Sequence, residues 1–268
     1  MHEASLTVCP ISLVRMGDEI EVGRAVGTGF LWKCDDAWFL ITNWHNVTGL
    51  HPDTGQPIGR FSPTHIEIGF KIIDRPMAGG KIIAHVVKTF PLYHNNKPVW
   101  LEHPNRHLVD CVAIALPVLP PDMANKSLNS IDFVQGYTAT VGDDCFVLGY
   151  PFGLSGRGKT PVWKRASIAT EPELDHDQRP LLLIDTATRL GMSGSPVILR
   201  HSGIYMHDGP TLQDNDIFGT FEIFLGVYSG RVGDDPLGVQ LGRVWKATVV
   251  DEILEAKTPG IDPQDLRF

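Results

Sequence analysis

Short apolar runs, each closed by glycine, proline or polar residues, recur along almost the whole chain, and one proline-rich segment divides them into two series. The first series covers residues 20–33, 38–42 (WFLIT), 66–73, 81–88 and 108–116. The stretch PVLPPDMANKSLN at 117–129 follows, with three prolines among polar residues. The second series covers 139–148, 161–169, 181–186, 196–200, 220–228 and 239–245. Runs of this length between turn residues read as strands, and two such series read as barrels or sandwiches. Helical spacing occurs near the end, over 244–256, where Val250, Ile253 and Leu254 share one face. The expected organisation is all-β: an N-terminal barrel at 1–118, a linker at 119–137, a C-terminal barrel at 138–243, and a helix with its tail at 244–268.

Composition narrows the partners. The 268 residues are enough to bury a core without disulfide staples. The formal charge of −8 serves solubility and argues against a nucleic-acid partner, which a basic face would attract. No apolar run reaches the roughly 20 residues needed to cross a bilayer. The N-terminal MHEASLTVCPISLVRMGDE has neither a basic leader nor a long apolar centre, so it does not read as a signal peptide. Cys9, Cys34, Cys111 and Cys145 are scattered and form no CxxC pair, which predicts free thiols and a cytoplasmic location.

Three segments carry chemistry. His45 lies in TNWHNV directly after the WFLIT run, Asp110 enters the apolar run VDCVAIAL, and Ser193 sits in GMSGSP. Taken singly, each has an ordinary structural explanation, and short Gly/Ser motifs are common. Taken together they have one logic. A serine hydroxyl needs a base within hydrogen-bond reach. Histidine, with an unperturbed pKa of about 6.5, supplies it. A buried aspartate fixes the tautomer and stabilises the imidazolium. An aspartate inside an apolar run is costly unless paired, so Asp110 needs a partner such as His45. Gly191 allows its own N–H and that of Ser193 to face one point, where a tetrahedral oxyanion would sit. His and Asp precede the linker and Ser follows it, which matches one of the known chain orders for this constellation.

These residues make the chain resemble the chymotrypsin/trypsin clan, and within it bacterial trypsin-like peptidases of the HtrA type. GTGFL at 27–31 is similar to the strand leading towards the histidine, LITNWH at 40–45 to a "VTNxH" histidine motif, and DCVA at 110–113 to the acid motif. VLGYPFGL at 147–154 resembles a "GNPFGL" segment of second barrels, and DTA at 185–187 followed by GMSGSP resembles the nucleophile run. The resemblance spans roughly residues 20–256. It implies a double six-stranded β-barrel with a C-terminal helix, and a serine endopeptidase working through an acyl-enzyme on protein or peptide substrates, without cofactor or metal. It places the base of the primary specificity pocket at Ala187 and its walls at Tyr228, Gly230 and Gly238. Ala187 carries no charge, which favours uncharged, mainly apolar residues before the cut. Arg189, Asp234 or Asp235 turning inwards would change that preference, and the polar segment 201–216 is expected beside the pocket.

The chain departs from the pattern in three ways. Ser195 replaces a glycine, no PDZ-like segment follows the barrel, and Met192 stands where secreted trypsins carry the acid that pairs with a newly cut N-terminus. Regulation by a partner protein is compatible with this. A protease-fold binding module that recognises without cutting and an esterase using the same triad are the alternatives. His103 with His107, and His176 between two aspartates, lack the clustered ligands of a metal site.

Overall fold

A computed structural model describes residues 1–17, 20–77, 80–106, 108–134, 137–205, 217–233 and 239–266. His107, Asp234, Asp235, Gly238 and most of the 201–216 segment lie outside the described residues.

The chain starts with a single helical turn, α1 (Ala4–Thr7), and then follows the strand pattern of the first series. The strands are β1 (Val8–Gly17), β2 (Ile20–Cys34), β3 (Ala37–Thr42), β4 (His65–Met77), β5 (Gly80–Pro91), β6 (Tyr93–His94), β7 (Lys97–Pro98), β8 (Trp100–Glu102) and β9 (Val112–Leu116). A short helix, α2 (Trp44–Thr48), follows β3. The second series gives β10 (Asp144–Gly149), β11 (Val162–Ile168), β12 (Leu181–Asp185), β13 (Pro196–Tyr205), β14 (Ile217–Arg231) and β15 (Leu241–Lys246). Helix α3 (Thr248–Ala256) and the two-residue β16 (Thr258–Pro259) end it.

The second series closes into an antiparallel six-stranded barrel in the order β10-β11-β12-β15-β14-β13, with β10 returning to β13 at Cys145↔Leu199. The first series forms an eight-stranded sheet, β16-β8-β9-β3-β2-β1-β4-β5. This sheet curls around one core: Ile11, Leu40, Ile68, Phe70, Trp100 and Ile114, from strands far apart in the order, bury against each other. β6 and β7 form a separate small hairpin.

The unbroken apolar run of β12 follows from burial on both faces. Leu182 and Ile184 point into the second barrel, while Leu181 and Leu183 join the core between the two halves. Phe30 and Ile41 of the first sheet enter that same core, as do Val249, Val250, Ile253 and Leu254 of α3. Each fully buried side chain of this kind stabilises by roughly 1.5–3 kcal/mol. The helix therefore acts as a wedge that holds both halves.

The chain ends cross over. α1 lies against the second barrel, where Ser5 Oγ accepts from Trp163 Nε1 of β11 at 2.9 Å and His2 Nε2 is 2.9 Å from Glu222 Oε1. β16 pairs with β8 of the first sheet, Thr258↔Glu102. The proline-rich connection is also tied down. Ala124 N donates to Lys71 O at 2.7 Å, and Lys71 N donates to Asn125 Oδ1 at 2.6 Å. Among the described residues no helix is long and apolar enough to cross a membrane.

Strand β1 has no counterpart among the sequence expectations, and its Pro10 is a residue that central strands rarely hold. It nevertheless lies between β2 and β4. Pairing with β4 covers Ile11 to Val14, so Pro10 sits beyond that ladder and its missing N–H breaks nothing there.

Candidate active site

Helix α2 begins at Trp44, so His45 stands at its start, directly after β3. Its N-cap residue Asn43 donates Nδ2 to Asp110 O at 2.7 Å, which ties the histidine turn to the segment that enters β9. His45 then meets the carboxylate twice. Its backbone N donates to Asp110 Oδ1 at 2.9 Å, and its ring Nδ1 is 2.7 Å from Oδ2. A third donor, Ser229 Oγ, reaches Oδ2 at 2.7 Å from the end of β14. Asp110 is only 1% exposed, and these three bonds are what make its burial affordable. With Nδ1 donating to the carboxylate, Nε2 of His45 is left as the acceptor.

Ser193 is fixed by its backbone. Its carbonyl accepts from Thr28 N at 2.9 Å and from Asn46 Nδ2 at 3.2 Å, so the Ser193 loop rests on the residue next to His45. Its hydroxyl makes no hydrogen bond among the described residues.

Thr28 of β2 organises the loop from the first half. Its Oγ1 donates to Gly191 O at 2.7 Å and accepts from Tyr150 N at 3.1 Å. Its O accepts from Thr42 Oγ1 at 2.8 Å. Gly191 (φ +92°) and Gly194 (φ +86°) both occupy left-handed backbone. A Cβ at Gly191 would collide with Tyr150 O, and one at Gly194 with Thr28 O.

The amides along the loop divide into two sets. Met192 N donates to Arg189 O, Gly194 N to Tyr228 O and Ser195 N to Met192 O. Those of Gly191 and Ser193 donate to nothing among the described residues. The Ser195 side chain is buried, and it fits because residue 149 is glycine: a Cβ there would run into Ser195 Oγ. Met192 is fully buried within the second barrel core.

The expected pocket residues are placed as follows. Ala187 is half-buried and Gly230 (φ +112°) faces open space, so a Cβ there would touch nothing. Tyr228 is buried, with its hydroxyl bonded to Thr188 Oγ1. Arg189 is exposed and its guanidinium rests on the carbonyls of Ala187 and Thr188, at 3.2 and 3.0 Å.

Of the two groups considered for metal, His103 has another partner, and His176 stays beside one of its flanking aspartates. His103 Nε2 is 2.5 Å from Glu252 Oε2, while its Nδ1 accepts from Asn105 N at 3.0 Å. His176 Nε2 is 3.5 Å from Asp177 Oδ2. Among the described residues no group of three or more His, Cys, Asp or Glu could hold a metal ion.

Sequence reasoning places Ser229 in the pocket wall beside Tyr228 and Gly230, and Thr28 in the GTGFL strand; it misses the bond from Ser229 to Asp110, the bonds from Thr28 to the Ser193 loop, and Glu102. Glu102 accepts from Trp44 Nε1, beside His45, at 3.2 Å. No local pattern marks these contacts; only the fold brings them to the site.

A model of the trypsin-like peptidase domain family matches residues 27–203. No curated protein matches the chain. Among solved structures, the chain is similar to the active form of the Rv3671c protease from M. tuberculosis, at 20% identity and a TM-score of 0.49. That match covers 96% of this chain and 83% of the other.

Proposed function

This chain belongs to the trypsin-like peptidase domain family, and from that premise we propose a cytoplasmic serine endopeptidase that hydrolyses protein peptide bonds through Ser193, His45 and Asp110. The observation that carries this reading is the Asp110 carboxylate, buried and held by three donors, one of them the His45 ring. Ser193 Oγ attacks the scissile carbonyl while His45 Nε2 takes its proton. Asp110 stabilises the imidazolium that forms. The oxyanion accepts from the unspent amides of Gly191 and Ser193. Collapse breaks the C–N bond, His45 returns the proton to the leaving amine, and the acyl group stays on Ser193. Water, deprotonated by the same Nε2, releases it.

Cleavage after uncharged residues is supported by Ala187, which brings no counter-ion, and by Arg189, whose guanidinium lies on backbone carbonyls. A buried Lys or Arg side chain would then be expensive. The cytoplasmic assignment is supported by the scattered placement of Cys9, Cys34, Cys111 and Cys145 along the chain, with no CxxC pair.

The test pairs a fluorophosphonate probe with a peptide-library digest. Wild type is expected to label and to cut peptides, and Ser193→Ala to do neither. Peptide cleavage that survives Ser193→Ala overturns the reading. Labelling with ester hydrolysis but no peptide cleavage assigns an esterase instead.

A further inference from the structure

Two segments run beside the nucleophile: residues 186–190, which lead into it, and the end of β14. The latter is stitched to the loop by Gly194 N donating to Tyr228 O at 2.9 Å and Tyr228 N donating to Ser195 O at 2.8 Å. On the pocket placement that the family resemblance implies, the side chain before the scissile bond enters between these segments. The Tyr228 ring already occupies that space. It is 1% exposed and its hydroxyl is bonded to Thr188 Oγ1, also 1% exposed, on the opposite segment. Its other side lies against Gly242 of β15, where a Cβ would come within 2.5 Å of the ring's Cε2. The ring thus reaches from one wall to the other, and glycine at 242 is what admits it.

We infer that Tyr228 is a specificity-determining residue whose ring fills the primary pocket and limits the residue before the cut to glycine, alanine or serine. This inference rests on the endopeptidase reading above and narrows its preference for uncharged residues. The ring does not swing aside readily. It belongs to the packed core of the second barrel, and moving it leaves a buried hydroxyl pair unsatisfied. Burial also pushes the phenol up to about 12, so at neutral pH it keeps its proton for the Thr188 bond.

The experiment is a cleavage-site profile on a denatured proteome, run with wild type, Tyr228→Phe and Tyr228→Ala, each first titrated with a small fluorophosphonate. Wild type is expected to cut after Gly, Ala and Ser, with Leu and Phe disfavoured by roughly tenfold or more. Tyr228→Phe keeps the ring and should keep that profile. Tyr228→Ala should move the preference to large apolar residues. The wild-type profile decides the matter even if the alanine variant does not fold. An enzyme that labels yet cuts mainly after Leu, Phe, Lys or Arg overturns the inference and leaves the endopeptidase reading standing. An enzyme that neither labels nor cuts overturns both.

Discussion

Ser229 and His45 are bound to the same oxygen of Asp110, each at 2.7 Å, although they come from opposite halves of the fold. The aspartate is thereby held between the second barrel and the histidine turn.

Removing that third donor should weaken the site without abolishing it. A hydrogen bond to a charged group contributes on the order of 1.5–3 kcal/mol, so Ser229→Ala should lower kcat/KM by roughly tenfold or more. In an Asp110→Asn background the same change should cost much less, because the bond it removes is already altered. Equal losses in both backgrounds would mean that Ser229 acts elsewhere.

Asp110→Asn should reduce kcat by about 10⁴, since the amide favours the wrong histidine tautomer. His45→Ala should cost on the order of 10⁴ or more, and Ser193→Ala added to it should cost little further. Single-turnover kinetics on one peptide substrate measure both. Independent, additive losses would separate the three residues.

Much of this was legible in the chain. The acid in VDCVAIAL reads as needing a partner, and the glycines of GMSGSP fit the turn that they make. The strand runs also survive, with their ends moved by a few residues. What the sequence hides are relationships at long range. Pro10 masks β1, because only the sheet shows that its missing N–H falls beyond a ladder. The contact of the Tyr228 ring with Gly242 is hidden in the same way, since nothing local says that the two face each other. The first half reads as five apolar runs, which become β2, β3, β4, β5 and β9. Its eight-stranded sheet includes β8 and β16, two or three residues each and too short to register as apolar runs.

Glu102 gives the fold a pH dependence. It is 1% exposed, accepts from Trp100 Nε1 at 2.8 Å and from Ile261 N at 3.3 Å, and has Arg106 Nε 3.2 Å from its Oε2. Burial is the main cause that pushes its carboxyl above the ordinary value. The native state therefore holds this proton more tightly than the unfolded chain does. The resulting stabilisation is complete below the unfolded carboxyl pKa of about 4.3 and is lost as pH rises through the folded value. Glu102→Gln stays neutral at every pH and keeps an acceptor for the two indoles. Its Tm relative to wild type should rise between about pH 4 and pH 8. A difference that stays flat across that range would refute the assignment.

The thiols should separate by burial. Cys9, Cys111 and Cys145 are buried and Cys34 is half-exposed. Burial pushes the Cys9 thiol to about 11 and Cys145 to about 12, and raises Cys111 as well. Since thiolate is the reactive form, an aromatic disulfide reagent should titrate one thiol quickly in the native protein, at Cys34. Denaturant without reductant should expose all four. Fewer than four would reveal disulfides and an oxidising location.

The crossed chain ends change what counts as a folding unit. A cut in the proline-rich connection would leave an N-terminal fragment carrying α1, which docks on the other piece, and a C-terminal fragment carrying β16, which pairs with β8 of the first. Neither fragment has its full complement of partners alone, yet each holds the part the other lacks. The two halves are therefore better regarded as one interlocked body than as modules on a string, and co-expressed halves should find each other where isolated halves fail.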